Sequence, residues 1–371
     1  MLVSHLGERR CWMLVVTDAD TAGPDEWAIT DEPDRLREWG TTTAHPLPSP
    51  HLVDATITIG ASQDCWLQLV DPRKKVSRVH ASLLRHGGRW VIADIKSRNG
   101  IKVDGARRAS VHLTPGAEIG IGSIVLIVES PVLIQLRELL ARLIGWSAAR
   151  RADVDNALRS VRIAATRRES LLLCGDGGLV SIARLLHNRA LGEDRPFVVC
   201  DPNRRRSEPD ARAAINYDDG LIALREAVGG TICMWRERPL PDFGKVVERL
   251  SKPTAPRVQL IVCSHLVPDP RQPRMGPTIV LPPMSERASE LPRIVDEFGS
   301  DASTLGGTLT AKNRDWVIQH ESSNLARIAT ATRRLVALNG AGGNTRVAAS
   351  LLGMSKSSLA EWFATRPAGY K

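Results

Sequence analysis

Two short runs in this chain concentrate hydrogen-bond donors that suit an oxyanion. One is Ser77-Arg78-Val79-His80, and the other is Ser97-Arg98-Asn99-Gly100. The basic run Arg73-Lys74-Lys75 stands just before the first, and Asp94 just before the second. A phosphate dianion needs several charge-assisted donors at once, and loops on a rigid scaffold can aim them. A glycine-rich segment, Gly175-Asp176-Gly177-Gly178, follows the apolar run Leu171-Leu172-Leu173-Cys174 and precedes a helical stretch. Near the C-terminus, Thr345, Arg346, Lys356, Ser357 and Ser358 stand among short helical segments separated by glycine.

Different scaffolds must hold these groups. The chain has 371 residues, enough for two or three domains with their own cores. From Ala55 to Val128 it reads as short β-like runs, with turns at Gly87-Gly88, Asn99-Gly100, Asp104-Gly105 and Pro115-Gly116. Such spacing predicts a β-sandwich. Upstream, one strand is expected at Cys11 to Thr17, followed by an acidic and then a Pro-rich stretch. After Pro131 the period turns helical through Leu133, Leu136, Leu139, Leu140 and Leu143. Apolar runs at 171–174, 197–199, 232–234 and 260–262 then alternate with helical stretches, the pattern of an α/β domain with a parallel sheet. From Leu291 onward the pattern is helical.

Composition narrows the function classes. The formal net charge is +9, and 41 arginines outnumber nine lysines, a bias that favours phosphate or carboxylate partners. A GC-rich coding sequence would give the same bias. Six cysteines at 11, 65, 174, 200, 233 and 263 form no CxxC and no His/Cys cluster, which argues against a zinc site or a disulfide framework. The most apolar stretch, Ile119 to Leu143, is broken by Glu129, Pro131, Arg137 and Glu138. No membrane span and no signal-peptide pattern is expected, and the reading is cytoplasmic.

Over residues 51–130, the series Ile59-Gly60, Ser77-Arg78-Val79-His80, Asp94, Ser97-Arg98-Asn99-Gly100 and Leu113-Thr114-Pro115-Gly116 resembles the forkhead-associated (FHA) family. The resemblance implies an all-β sandwich whose loops hold a phosphothreonine. It implies that Ser77 donates its hydroxyl to the phosphate with Arg78 beside it, and that Arg98 and Lys75 add phosphate-side charge. Asn99 would bond the ligand backbone, while Gly60 and His80 would be structural in the loop. The family usually has Gly-Arg where this chain has Gly60-Ala61, so Arg73, Lys74 and Lys75 are the replacement charges expected.

Residues 143–300 resemble the AAA+ domain of bacterial enhancer-binding proteins, which activate sigma-54 RNA polymerase. The resemblance rests on Leu143-Ile144-Gly145-Trp146-Ser147, on Leu171 to Gly178 with Ile182-Ala183-Arg184-Leu185-Leu186-His187, and on Arg195-Pro196-Phe197-Val198. Gly229-Gly230-Thr231 and Leu281-Pro282-Pro283-Met284 with Glu286-Arg287 follow in the family's order. The catalytic residues do not follow. Leu179-Val180 stands after a loop with no lysine, and Trp235-Arg236 stands where an acidic pair is needed. The sigma-54-contacting loop has no counterpart between Asp201 and Gly229, and Ala326 stands at the lid arginine position. The expectation is no enzyme, no catalytic residue, no metal and no cofactor, with residual ATP binding unsupported.

The segments Gly343-Asn344-Thr345-Arg346-Val347-Ala348-Ala349 and Leu352-Gly353-Met354-Ser355-Lys356-Ser357-Ser358-Leu359 resemble the Fis-type helix-turn-helix that ends the same enhancer-binding proteins. It implies a second helix in the major groove, with Lys356, Ser357 and Ser358 toward bases and Thr345 and Arg346 toward phosphates. Residues 312–371 carry nine Lys/Arg against three Asp/Glu. Glu361 and Trp362 stand where the family commonly has more basic residues.

The fold class expected is therefore multidomain: an N-terminal strand and irregular extension (1–50), an all-β FHA sandwich (51–130), an α/β AAA+-like, P-loop-type domain (143–300), and an α-helical lid remnant with helix-turn-helix (301–371). The expected function is a bacterial transcription regulator with a phosphothreonine-containing partner, for instance a Ser/Thr kinase, and DNA as ligands, acting as a homodimer. A phosphopeptide adaptor without DNA and an ATP-dependent sigma-54 activator are the alternatives.

Overall fold

The computed structural model describes residues 31–48, 57–103, 105–201, 215–252, 254–267 and 276–364. The strand expected at Cys11 to Thr17 lies outside these residues, as do residues 202–214 of the segment in which no counterpart of the sigma-54-contacting loop is expected. The chain divides into two compact units at Leu133.

The first unit is a sandwich of a six-stranded and a five-stranded sheet. The five-stranded sheet is built from β3 (Ile57–Gly60), β4 (Leu67–Gln68), β5 (Ala81–His86), β6 (Arg89–Asp94) and β9 (Ser110–His112). The six-stranded sheet takes β1 (Arg35–Glu38), β2 (Ala44–Pro46), β7 (Ile101–Val103), β8 (Ala106–Arg108), β10 (Glu118–Ile121) and β11 (Ile124–Glu129). Its order is β2-β1-β11-β10-β7-β8, and the other is β4-β3-β5-β6-β9. Alternation explains the layering: Ile119 and Ile121 of β10 point inward while Glu118 and Gly120 are less buried. Ile59, Leu83, Ile92, Ile101 and Leu126 complete the shared core.

The sandwich begins upstream of the expected span 51–130. β1 runs antiparallel along β11, with Arg35 opposite Glu129 and Arg37 opposite Ile127. A run reading Arg-Leu-Arg-Glu lacks the look of a strand, yet Glu129 is fully buried and accepts from Arg37 Nε at 2.5 Å and Arg35 Nε at 2.7 Å. Paired and hydrogen-bonded charges tolerate a burial that isolated ones would not.

The second unit starts with α1 (Pro131–Ile144) and α2 (Arg151–Arg167). Its sheet contains β12 (Leu171–Cys174), β13 (Phe197–Cys200), β14 (Ile215–Asn216), β15 (Thr231–Trp235), β16 (Gln259–Ser264) and β17 (Thr278–Val280). The order is β14-β13-β15-β16-β12-β17, and every pairing is parallel. β12, β15 and β16 are buried along their whole length, which is why apolar runs fill β12 and the middle of β15 and β16. The crossovers carry α3 (Leu179–Leu191), α4 (Gly220–Glu226) and α5 (Phe243–Leu250).

Five helices follow: α6 (Leu291–Asp301), α7 (Ala311–His320), α8 (Leu325–Gly340), α9 (Thr345–Leu351) and α10 (Lys356–Ala364). Side-chain caps set the starts of α7, α8 and α9 by satisfying free amides of the first turn. Thr310 accepts from the Asn313 amide, Asn324 from Arg327, and Asn344 from Arg346 and Val347. No described helix is long and apolar enough to cross a membrane.

Candidate phosphopeptide site and the other expected sites

Three loops of the sandwich meet around Ser77. Ala61 N donates to Ser77 O at 3.0 Å, and Ser62 N donates to Arg78 O at 2.9 Å, so the loop after β3 lies along the Ser77–Val79 loop. The fit requires glycine at position 60, because a Cβ there would stand 2.3 Å from Arg78 O. His80 is fully buried behind the loop. Its Nδ1 accepts from Ser77 N at 3.0 Å, and its Nε2 lies 3.2 Å from Gly100 O. A carbonyl only accepts, so Nε2 carries the proton. His80 thus ties the Ser77 loop to the Asn99-Gly100 turn.

Ser77 Oγ accepts from Arg98 N at 3.2 Å, which leaves its own hydrogen to donate outward. Asn99 Nδ2 donates to Lys75 O at 2.6 Å and ties the two loops together. The Ser97 hydroxyl bonds Asp94 at 2.5 Å and accepts from Gly100 N at 2.9 Å, which shapes the second run. Arg73, Lys74, Lys75, Arg78 and Arg98 are exposed, and their side chains have no acidic partner among the described residues. Ala61 instead packs its methyl against the sandwich core.

Residue types alone do not single out Asp71, which organises the basic run. Its carboxylate accepts from Arg73 N at 2.9 Å and Lys75 N at 2.8 Å, and it also bonds the Ser123 hydroxyl from the loop between β10 and β11. The Ser123 hydroxyl and these amides lower the Asp71 pKa to about 2, against a smaller opposing effect of burial. A lone aspartate before Pro-Arg-Lys-Lys carries no signal in the sequence that it reaches Ser123.

In the second unit, the glycine-rich loop has its mouth covered by the chain itself. A Cβ on Gly178 would lie 2.1 Å from Ala326 Cβ, and one on Gly177 would lie 2.7 Å from Asn324 Nδ2. The start of α8 therefore sits on the loop that precedes α3. Past β15, Glu237 accepts from Ser264 Oγ at 2.6 Å and His265 N at 3.0 Å. Burial opposes its charge, but these donors, its own amide and the charge of His265 together hold its carboxyl below the ordinary range. Arg238 pairs with Asp201 at 3.4 Å and covers the Trp235 ring. A cavity of about 300 Å³ lies elsewhere, lined by Arg142, Trp146, Arg189, Arg293 and Glu297. Arg142 and Arg293 both pair with Glu297 there.

At the C-terminus, α9 and α10 are joined by a turn in which Gly353 adopts φ +63°, a left-handed conformation that glycine takes without strain. Leu359, Ala348 and Ala349 are buried between α8, α9 and α10. Arg346, Lys356 and Ser357 are exposed, whereas Thr345 and Ser358 are half-buried. Ser358 is engaged with the Ser355 cap, Oγ to Oγ 2.7 Å and Ser358 N to Ser355 Oγ 3.2 Å. Trp362 turns inward against Trp316 and Arg334, so it does not occupy the exposed face of α10.

Residues 57–122 match the family model described as FHA domain. No curated protein matches the chain. Among solved structures, one from a study of phosphothreonine-dependent FHA domain interactions is 27% identical, with 26% of this chain and 96% of that one covered and a TM-score of 0.23. The FhaA FHA domain, solved with the intracellular domain of Rv3910, is 28% identical over 26% of this chain and 98% of its own, with a TM-score of 0.23. Mycobacterium tuberculosis EmbR, solved with a low-affinity phosphopeptide, is 27% identical over 28% of this chain and 27% of its own, with a TM-score of 0.24. On the family match and on the loop geometry around Ser77, residues 57–122 are an FHA domain.

Proposed function

We propose that the protein is a transcription regulator that reads a phosphothreonine-containing partner through its FHA domain and binds DNA through α9 and α10. The observation that carries the first half is Ser77, its backbone amide held by His80 and its hydroxyl oxygen by Arg98 N, amid exposed arginines and lysines without acidic partners among the described residues. Such an array fits a dianion and gives an uncharged threonine little to bind. The family match over residues 57–122 agrees with that reading.

DNA binding is supported by two short helices around a Gly353 turn, with Arg346, Lys356 and Ser357 exposed. As a homodimer the protein would meet two half-sites about one helical turn apart. For the second unit, the strand order β13-β15-β16-β12-β17 supports the AAA+ resemblance, while Ala326 seated on Gly178 and a loop without lysine support a core that neither holds ATP nor turns it over. Such a regulator occupies or blocks its sites, or recruits partners, rather than melting a promoter.

Phosphorylated and unphosphorylated threonine peptide libraries, retained on the immobilised full chain, test the sensor. Equal retention of both ends it. A gel shift with genomic fragments across a salt series separates the regulator from an adaptor without DNA, since bonds to phosphate make affinity fall with salt.

A further inference from the structure

One arginine near the Ser77 loops belongs to none of the runs that mark the site. Arg107 on β8 lies across the Asn99-Gly100 turn: a Cβ at Gly100 would stand 2.3 Å from Arg107 Nε and 2.9 Å from its Cζ. Gly100 has φ +70°, so the backbone favours glycine there, and the missing side chain leaves the space that the Arg107 guanidinium occupies. The same Gly100 presents its carbonyl to His80 and its amide to Ser97. Arg107 is therefore laid over the turn that His80 couples to Ser77.

Its surroundings have an electrostatic cost. Arg107 stands directly opposite Lys102 in the β7–β8 ladder, and both are exposed. Like charges facing each other across a ladder destabilise it. Neither side chain has an acidic partner among the described residues, and Arg98, one residue before Asn99, is likewise unpaired there. Arg98, Lys102 and Arg107 thus stand near one turn, none of them in an ion pair among the described residues. An external oxyanion relieves that repulsion, and the guanidinium lying over Gly100 can take it in bidentate fashion.

We infer that Arg107, with Lys102 as its charged neighbour, forms an accessory subsite for a second oxyanion of the peptide, beside the phosphothreonine. The inference rests on the phosphothreonine reading of the Ser77 site. The second oxyanion is a carboxylate of Asp or Glu, or another phosphate, at a position that crosses the Asn99-Gly100 turn. The subsite selects among phosphothreonine peptides.

The test uses the full chain and fluorescence-anisotropy titration with degenerate peptide pools. Each pool fixes one phosphothreonine, with the flanking positions fixed in turn as Ala, Glu or phosphoserine. At one or more positions, the Glu or phosphoserine pool should bind the unaltered protein about 10-fold more tightly than the Ala pool, the size of one charge-assisted hydrogen bond. In Arg107→Gln that ratio should fall to near unity, and Arg107→Lys should keep part of it. Glu and phosphoserine pools separate the two anion sources. A ratio near unity in the unaltered protein, or one that persists in Arg107→Gln, overturns the subsite while leaving phosphothreonine dependence intact. Equal binding of pools with phosphothreonine and with plain threonine overturns the underlying reading as well.

Discussion

The Ser77 hydroxyl oxygen accepts a hydrogen bond from the backbone amide of Arg98 at 3.2 Å, across two loops that no regular element connects directly. The oxygen accepts in this bond, so the hydroxyl hydrogen stays available to a ligand, and the Arg78 and Arg98 side chains beside it are exposed. Ser77→Ala removes the outward donor together with the acceptor for Arg98 N. Phosphothreonine peptide affinity of the full chain should drop by about 10-fold or more, the weight of a hydrogen bond to a charged group. Anisotropy titration measures it, and an unchanged dissociation constant would take Ser77 out of the site.

Asp71 sets the shape of the Arg73–Lys75 run, and its acidity gives the site a pH signature. Its folded pKa of about 2 lies below the ordinary aspartate value of about 3.9. A depressed carboxylate contributes stability that is fully present above the ordinary value and is lost as pH falls toward the folded one. Amide exchange at Lys75 and Ser123 should therefore lose protection between about pH 4 and pH 2. Asp71→Asn should show fast exchange at these amides already at pH 7. Equal protection in both proteins at pH 7 would remove Asp71 from this role.

Glu129 is buried between Arg37 and Arg35, and Arg37 is itself only 1% exposed. Glu129→Ala leaves a buried guanidinium without its counter-ion, at a cost of about 3–5 kcal/mol. Hydrogen–deuterium exchange over β1 and β11 should accelerate by about 100-fold or more. Replacing Arg35, which is partly solvated, should do much less.

Gly178 and Ala326 approach so closely that one added methyl group would force them apart. Gly178→Ala brings two Cβ atoms to 2.1 Å and places alanine at φ +67°, so the second unit should lose about 1–3 kcal/mol from overpacking and about 1–2 kcal/mol from the left-handed backbone. Ala326→Gly in the same chain should recover the overpacking part. A double-mutant cycle from urea unfolding reads the coupling. Strict additivity would show that α8 does not rest on the loop in solution.

Lys356 and Arg346 carry exposed charge on α10 and α9. Alanine at either position should weaken DNA binding across sequences and reduce the salt slope by about one for each phosphate no longer neutralised. Trp362→Ala should act differently, lowering stability, because its ring packs on Trp316. Gel shifts over a salt series and thermal unfolding separate the two effects. No shift at low salt would remove DNA from the proposed function.

By itself the sequence determined what depends on local pattern. Alternating and turn-bounded runs marked the sandwich, apolar runs of three or four residues marked the parallel sheet, and Asn344 and Gly353 marked the ends of α9 and α10. The Ser77 and Ser97 runs were legible because neighbouring residues in one loop share a site. Only the tertiary structure decided what depends on residues far apart. Arg-Leu-Arg-Glu becomes a strand because Glu129, 92 positions beyond Arg37, neutralises it in the core. Asp71 finds Ser123 52 positions away, and Ala326 closes over Gly178 through the return of α8 to the sheet. Arg107 gains its place on Gly100 only when β7 and β8 pair, since burial, charge pairing and steric fit are properties of the folded neighbourhood rather than of the local run.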